Sequence, residues 1–201
     1  MPYIKYSNFD TDKLVLEAIS FRRSSMIAYN IKYNYGTEEN PIVAHLKVLA
    51  PEVFTRRGVI DTPHGDAIYA EFDLENKETK EFITGFCEEF YNSLLSFIKM
   101  ELGEAYTLKH PLGFVKDKDG EITRASKYFS VFGLRDNWYT SNREIVGEDN
   151  LINRKIRFEP FISFPSFAFV GEKGIVKTYI DSSLVNSIKP AASIFSIPTE
   201  I

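Results

Sequence analysis

Aromatic and cationic side chains fall side by side at four places in this 201-residue chain, and that pairing is the pattern in it most able to do chemistry. Phe54 precedes Arg56 and Arg57; Lys127, Tyr128 and Phe129 are consecutive; Arg135 precedes Trp138 and Tyr139; and Arg154, Lys155 and Arg157 run into Phe158. Binding of a single nucleic-acid strand needs this combination. Cations track the phosphates while ring faces stack on bases, each stacked base contributing about 1–3 kcal/mol. The candidate contacts are Arg56, Arg57, Lys127, Tyr128, Arg135, Trp138, Tyr139, Arg154 and Arg157. Trp138 stands in a polar stretch with little apolar cover, which marks it as a candidate exposed ring. The competing reading is structural: rings in strands usually face a core, and Arg157 beside Phe158 is what any strand alternating in and out produces.

Catalytic patterns are absent from the sequence. There is no strained serine elbow, no His-Glu-x-x-His pair and no glycine loop to cradle phosphate. His45, His64 and His110 have no metal-ligand spacing and read as ordinary surface histidines. The paired acids Glu38-Glu39 and Glu88-Glu89 are adjacent, and neighbours on a helix point apart. The chain is therefore expected not to be an enzyme and to use no metal or organic cofactor.

The elements that would position the basic and aromatic residues are mostly strands. Residues 28–35, 42–49, 54–60 and 67–74 alternate or carry β-branched and aromatic residues between turn signals. After them the period changes. Phe82, Ile83, Phe86, Phe90, Leu94, Phe97, Ile98 and Leu102 recur at steps of one, three and four, which predicts one amphipathic helix. Asn76 is placed to cap its start and Gly103 to close its end. Residues 112–116 and 122–132 then flank Lys118-Asp119-Gly120, a strong hairpin signal. Residues 136–153 read as an extended surface loop. Strands at 155–164 and 166–170 are divided at Pro165, and 175–181 and 184–188 complete the set. About nine or ten short strands and one helix predict a barrel or a sandwich. Residues 1–25 read as an irregular lead-in arm, 26–189 as the folded domain with its helix at about 77–102, and 190–201 as a tail.

Charge divides the chain. The net value is −4, yet residues 71–104 hold nine acids against three bases, so the remainder is +2. An acidic helix face disfavours an anionic partner there and permits one on the sheet. Residues 1–10 lack the pattern of a secretory signal, and the sequence contains no apolar run long enough to cross a bilayer. Cys87 is the sole cysteine, which excludes an intrachain disulfide and fits a reducing compartment. The expectation is a soluble intracellular protein away from membranes.

The order strand, long helix, hairpin and closing strand pair resembles the OB-fold single-stranded DNA-binding proteins of large double-stranded DNA viruses and of podophages. The matching residues are Lys155, Phe158, Pro160, Ile162 and Gly171 in the closing region, and the lead-in YSNFDTDKLVL at 6–16. The resemblance implies a Greek-key OB-like β-barrel with the helix inserted between strands, mainly β, binding single-stranded DNA without sequence preference. Podophage members carry an acidic tail that often ends in an aromatic residue. Here Ile197, Pro198, Thr199, Glu200 and Ile201 depart from that pattern, so the tail's role does not carry over. The alternative expectation is a viral structural or assembly protein, meeting itself or a protein partner through the acidic helix face or the tail.

Overall fold

The computed structural model describes residues 2–21, 26–131 and 137–190. The chain is mainly β with one long helix. In chain order the strands are β1 (Ile4–Lys5), β2 (Leu14–Ala18), β3 (Ala28–Asn34), β4 (Val43–Leu49), β5 (Val53–Thr55), β6 (Val59–Ile60) and β7 (Ala67–Phe72) before the helix. After it come β8 (Thr107–Lys109), β9 (Phe114–Lys116), β10 (Ile122–Val131), β11 (Trp138–Thr140), β12 (Arg154–Phe164), β13 (Ser166–Val170), β14 (Lys173–Val176) and β15 (Tyr179–Pro190). Strand pairing links all of them, with β12 central: it meets β15 on one side and β5 and β4 on the other.

Five of these strands are each hydrogen-bonded to two others of the same set. β5 pairs β7, β7 pairs β10, β10 pairs β15, β15 pairs β12, and β12 pairs β5. The β10–β15 pair is parallel and the other four are antiparallel. Inside this set lie Val53, Ile68, Ala70, Phe72, Ala125, Phe129, Ile156, Phe158 and Ile180, all buried.

The helix, α1, is built from Lys77–Glu81, a π-helical stretch Phe82–Cys87, and Glu88–Leu102. The Asn76 side chain accepts from the amides of Glu78 and Thr79, and Gly103 ends the helix at φ 102°, so both sequence-predicted caps are in place. The π stretch follows from the apolar spacing. Phe82, Phe86, Phe90, Leu94 and Ile98 repeat at a strict step of four, and all are buried. In a regular helix each such step overshoots a full turn by about 40°, so the row would wind off the core. The looser π winding corrects this where it matters most. Phe82, Phe86 and Phe90 stack with centroids 5.5 Å apart at each step and planes within 17° and 8°. Phe72 of β7 extends the stack at 5.7 Å, and Phe164 at the end of β12 packs against Phe86 and Phe90. Glu78, Glu81, Glu89 and Glu101 occupy the exposed face.

Several expectations are corrected. The lead-in is not irregular: β1 runs parallel to β4, β2 pairs β3, and Tyr6 and Phe9 pack edge-on against the helix rings. Its apolar residues gain cover from distant strands and from the helix, which local pattern does not reveal. The 54–60 stretch is two strands broken over 56–58, and the strand predicted at 175–181 divides between the end of β14 and the start of β15, which runs on without a break through the predicted 184–188. The 136–153 stretch is not all loop, since β11 joins β15 in parallel. Of the predicted tail at 190–201, Pro190 is the last residue of β15 and 191–201 lie outside the described residues. Among those residues, no helix is long and apolar enough to cross a membrane.

Candidate nucleic-acid interface

Strand alternation sorts β7 and β10 into an inner and an outer face. Ile68, Ala70 and Phe72 of β7 are buried, leaving Tyr69 and Glu71 outward; Ala125, Phe129 and Val131 of β10 are buried, leaving Ser126 and Tyr128 outward. Register then aligns outward residues across strands. Tyr128 lies opposite Tyr69, and a second row runs Ser126, Glu71, Phe54, Arg157, Ser187 through β10, β7, β5, β12 and β15. The result is one continuous outer face with rings and cations interleaved.

Its centre is a pair of tyrosines. The rings of Tyr69 and Tyr128 are 4.6 Å apart at 47°, and Tyr128 is 63% exposed. The Tyr69 hydroxyl donates to Ser126 Oγ at 2.6 Å and accepts from Arg124 Nη2 at 2.9 Å, while Arg124 Nε donates to Ser126 Oγ at 3.1 Å. Tyr69 is thereby held, and Tyr128 leans on it with most of its surface free. On the neighbouring strands, Arg56 donates to both carboxylate oxygens of Glu71 at 3.1 and 3.4 Å. Arg157 donates to Glu52 at 2.9 Å and lies 5.7 Å over the Phe54 ring.

A cavity of about 360 Å³ opens between the tyrosines and the β5–β6 connection, lined by Arg56, Arg57, Gly58, Ile60, Tyr69 and Tyr128 among others. Gly58 fixes that connection. Its φ is +67°, and a Cβ there would sit 1.9 Å from the Leu151 carbonyl oxygen, so only glycine lets the chain pass this close. The adjacent Val59 amide donates to the same carbonyl at 2.9 Å. A second cavity, about 280 Å³, is lined by Phe54, Lys155, Arg157, Ser187 and Lys189 on the same face.

Of the nine residues nominated from sequence, Arg56, Arg57, Tyr128 and Arg157 converge here. Arg154 opens β12 opposite Pro190, on the parity of buried Ile156 and not of Arg157. Tyr139 lines a different cavity with Tyr3, Phe161 and Arg143. Arg135 lies outside the described residues. Trp138 is the clear correction: it is 0% exposed, packed 5.1 Å from Phe158 and in register with Ser183 of β15, and so has no surface to offer a base. β15 and β12 cover the indole. Tyr69 and Arg124 belong to no basic-aromatic cluster in the sequence, although the alternation of Ile68, Ala70 and Phe72 already turns Tyr69 outward.

Lys127 occupies a distinct position on the inward parity of β10. Its ammonium donates to the Pro111 carbonyl and stands 5.5 Å over the Phe129 ring. Burial, and then the neighbouring Lys109 charge, pull its pKa down to about 8. His110 beside it is pushed below the ordinary imidazole value, chiefly by burial, and so is not the plain surface histidine its sequence position suggests. Cys87, fully buried on the helix, has its thiol pKa raised by desolvation, which makes it inert packing. Among the described residues no three His, Cys, Asp or Glu side chains group as a metal-ligand set.

No known family model matches the chain, and no curated protein sequence matches it significantly.

Proposed function

We propose that this chain is a non-enzymatic single-stranded DNA-binding protein, sequence-tolerant, built on an OB-like partly open Greek-key barrel. The five-strand circuit supports the fold reading. Taken in chain order, β5, β7, β10, β12 and β15 are first to fifth, and their pairing runs first, second, third, fifth, fourth and back to first, with third and fifth parallel. The long helix is inserted between second and third. Barrels of this kind hold oligonucleotides on the outer face of strands two and three and on the loops joining one to two and four to five. Those positions correspond to β7, β10, the Arg56–Arg57 loop and the segment through Lys177.

The observation that carries the reading is the exposed Tyr128 ring backed by a fixed Tyr69 on that face, with cations on either side. Base stacking needs an open ring face, and phosphate tracking needs cations nearby. The test is a titration of end-labelled oligo-dT followed by anisotropy at low and moderate salt. Binding that weakens as salt rises supports the reading, and absence of binding at low salt contradicts it. Intrinsic fluorescence is the wrong readout, because Trp138 is buried.

One observation favours the second reading, a viral structural or assembly protein. Arg56 and Arg157 already hold carboxylates, Glu71 and Glu52, which a phosphate would have to displace. A face of satisfied ion pairs suits a protein partner as well, and a pull-down partner bound with no DNA affinity would support it.

A further inference from the structure

The uncovered edge of β10 carries a second site, next to the tyrosine pair. On the edge away from β7, β10 is paired with β9 up to Ala125 and with β15 from Ser130 onward. Between these, no strand covers Tyr128 among the described residues. Ser126 donates its amide across this edge to Gly113, whereas Val131 donates on the opposite edge to Asp66. Alternation along the strand therefore turns the Tyr128 amide into the gap.

A cavity of about 440 Å³ occupies that gap. Lys109 from β8, Lys127 from β10 and Lys177 from the β14–β15 connection all line it, together with Tyr128, Pro111 and His110. Among the described residues, no carboxylate lines it. Glu88 acts on His110 electrostatically and stands 3.9 Å from Lys116, which does not line the cavity. Lys109 and Lys177 are exposed and make no ion pair among the described residues; the Lys127 ammonium has the Pro111 carbonyl and the Phe129 ring face as its partners there. Three like charges around one hollow repel one another, and an ammonium buried without an anion is an unfavourable arrangement. An anion in the hollow would reverse both effects. Groups held in this way cluster at functional sites.

We infer that the hollow lined by Lys109, Lys127 and Lys177 is a phosphate-binding subsite, which takes the phosphodiester next to the base stacked on Tyr128. The inference rests on the single-strand reading above and deepens it. Tyr128 lines both cavities, so a base on its ring and a phosphate in the hollow belong to adjacent parts of one strand. The two exposed lysines would guide the strand in, and Lys127 with the Tyr128 amide would fix its depth.

The test compares oligo-dT binding by anisotropy for the wild type, Lys127→Met and a Lys109→Ala/Lys177→Ala double variant. The subsite predicts about tenfold weaker binding for each variant at low salt. It also predicts a salt dependence shallower by about 0.7 in log–log slope for each phosphate left without its lysine. A pH series from 7 to 9 adds an independent readout. Wild-type affinity should fall as Lys127 loses its proton, while Lys127→Met stays flat; of the other groups facing the hollow, Lys109 and Lys177 are common to both proteins, and His110, pushed below the ordinary imidazole value, stays neutral. The double variant alters exposed side chains only, and a wild-type melt shows that it folds. Wild-type-like affinity, slope and pH response in both variants would overturn the subsite while leaving the tyrosine face standing. Failure of the wild type itself to bind oligo-dT overturns both.

Discussion

Tyr128 and Tyr69 face each other across β10 and β7 with ring centroids 4.6 Å apart, one hydroxyl locked by Arg124 and Ser126 and the other ring largely open to solvent. That asymmetry divides the labour. Tyr69 is a support, and Tyr128 is the surface a base would meet. Tyr128→Ala should weaken oligo-dT binding by about 1–3 kcal/mol while leaving the melting temperature within about two degrees of wild type. Tyr128→Phe should retain most affinity, because the ring face is what stacks. Anisotropy and a thermal melt on the same samples check both halves.

Gly58 holds the Arg56–Arg57 loop against Leu151. Gly58→Ala should destabilise the protein by more than about 2 kcal/mol, since it adds both a left-handed backbone cost and a collision with a carbonyl. Urea unfolding measures this, and a ΔΔG below about 1 kcal/mol would show that the loop is not clamped. Gly65→Ala is the comparison: its φ is +99°, yet nothing lies within 4 Å of the added Cβ, so strain alone acts there.

Lys127 makes stability depend on pH in a defined window. Its folded pKa is depressed to about 8 from an ordinary value of 10.5. Below pH 8 it is charged in both states, and the burial cost is present in full. Between 8 and about 10.5 the unfolded chain holds the proton while the folded chain has released it, so stability rises with pH through that window. Lys127→Met should therefore stabilise the protein at pH 7, by on the order of 2–3 kcal/mol at most, with the gain shrinking towards pH 10. Urea melts of both proteins at pH 7 and pH 10 supply the difference, and a pH-independent gain would contradict the assigned cause.

The helix offers a paired prediction. Phe86 touches Phe82, Phe90, Phe9 and Phe164, so Phe86→Ala should cost about 3–5 kcal/mol. Gly85, one residue earlier in the π-helical stretch, has open space where a Cβ would go. Gly85→Ala should be neutral or stabilise by up to about 1 kcal/mol, as read by chemical denaturation.

Signals in the sequence are legible where the physics is local. Asn76 and Gly103 bound the helix as expected, and the Asp119-Gly120 hairpin joins β9 to β10. Arg56, Arg57, Tyr128 and Arg157 fall on one face because alternation fixes which side of a strand a residue takes. What stays hidden depends on distant partners. β11 has three residues and no pattern of its own; it exists because β15 supplies hydrogen bonds from more than forty residues away, and it buries Trp138. The lead-in strands depend in the same way on β3 and β4. The π stretch is written in the sequence as a strict step of four, a spacing that periodic matching at 3.6 absorbs without notice.

The most direct measurement is photocrosslinking of a 4-thiothymidine-containing single strand, followed by peptide mapping of the adducts. Adducts are expected on Tyr69, Tyr128 or Phe54, with Tyr128→Ala removing the strongest. Adducts confined to the acidic helix between Lys77 and Leu102, or no adduct with the wild-type protein, would contradict it.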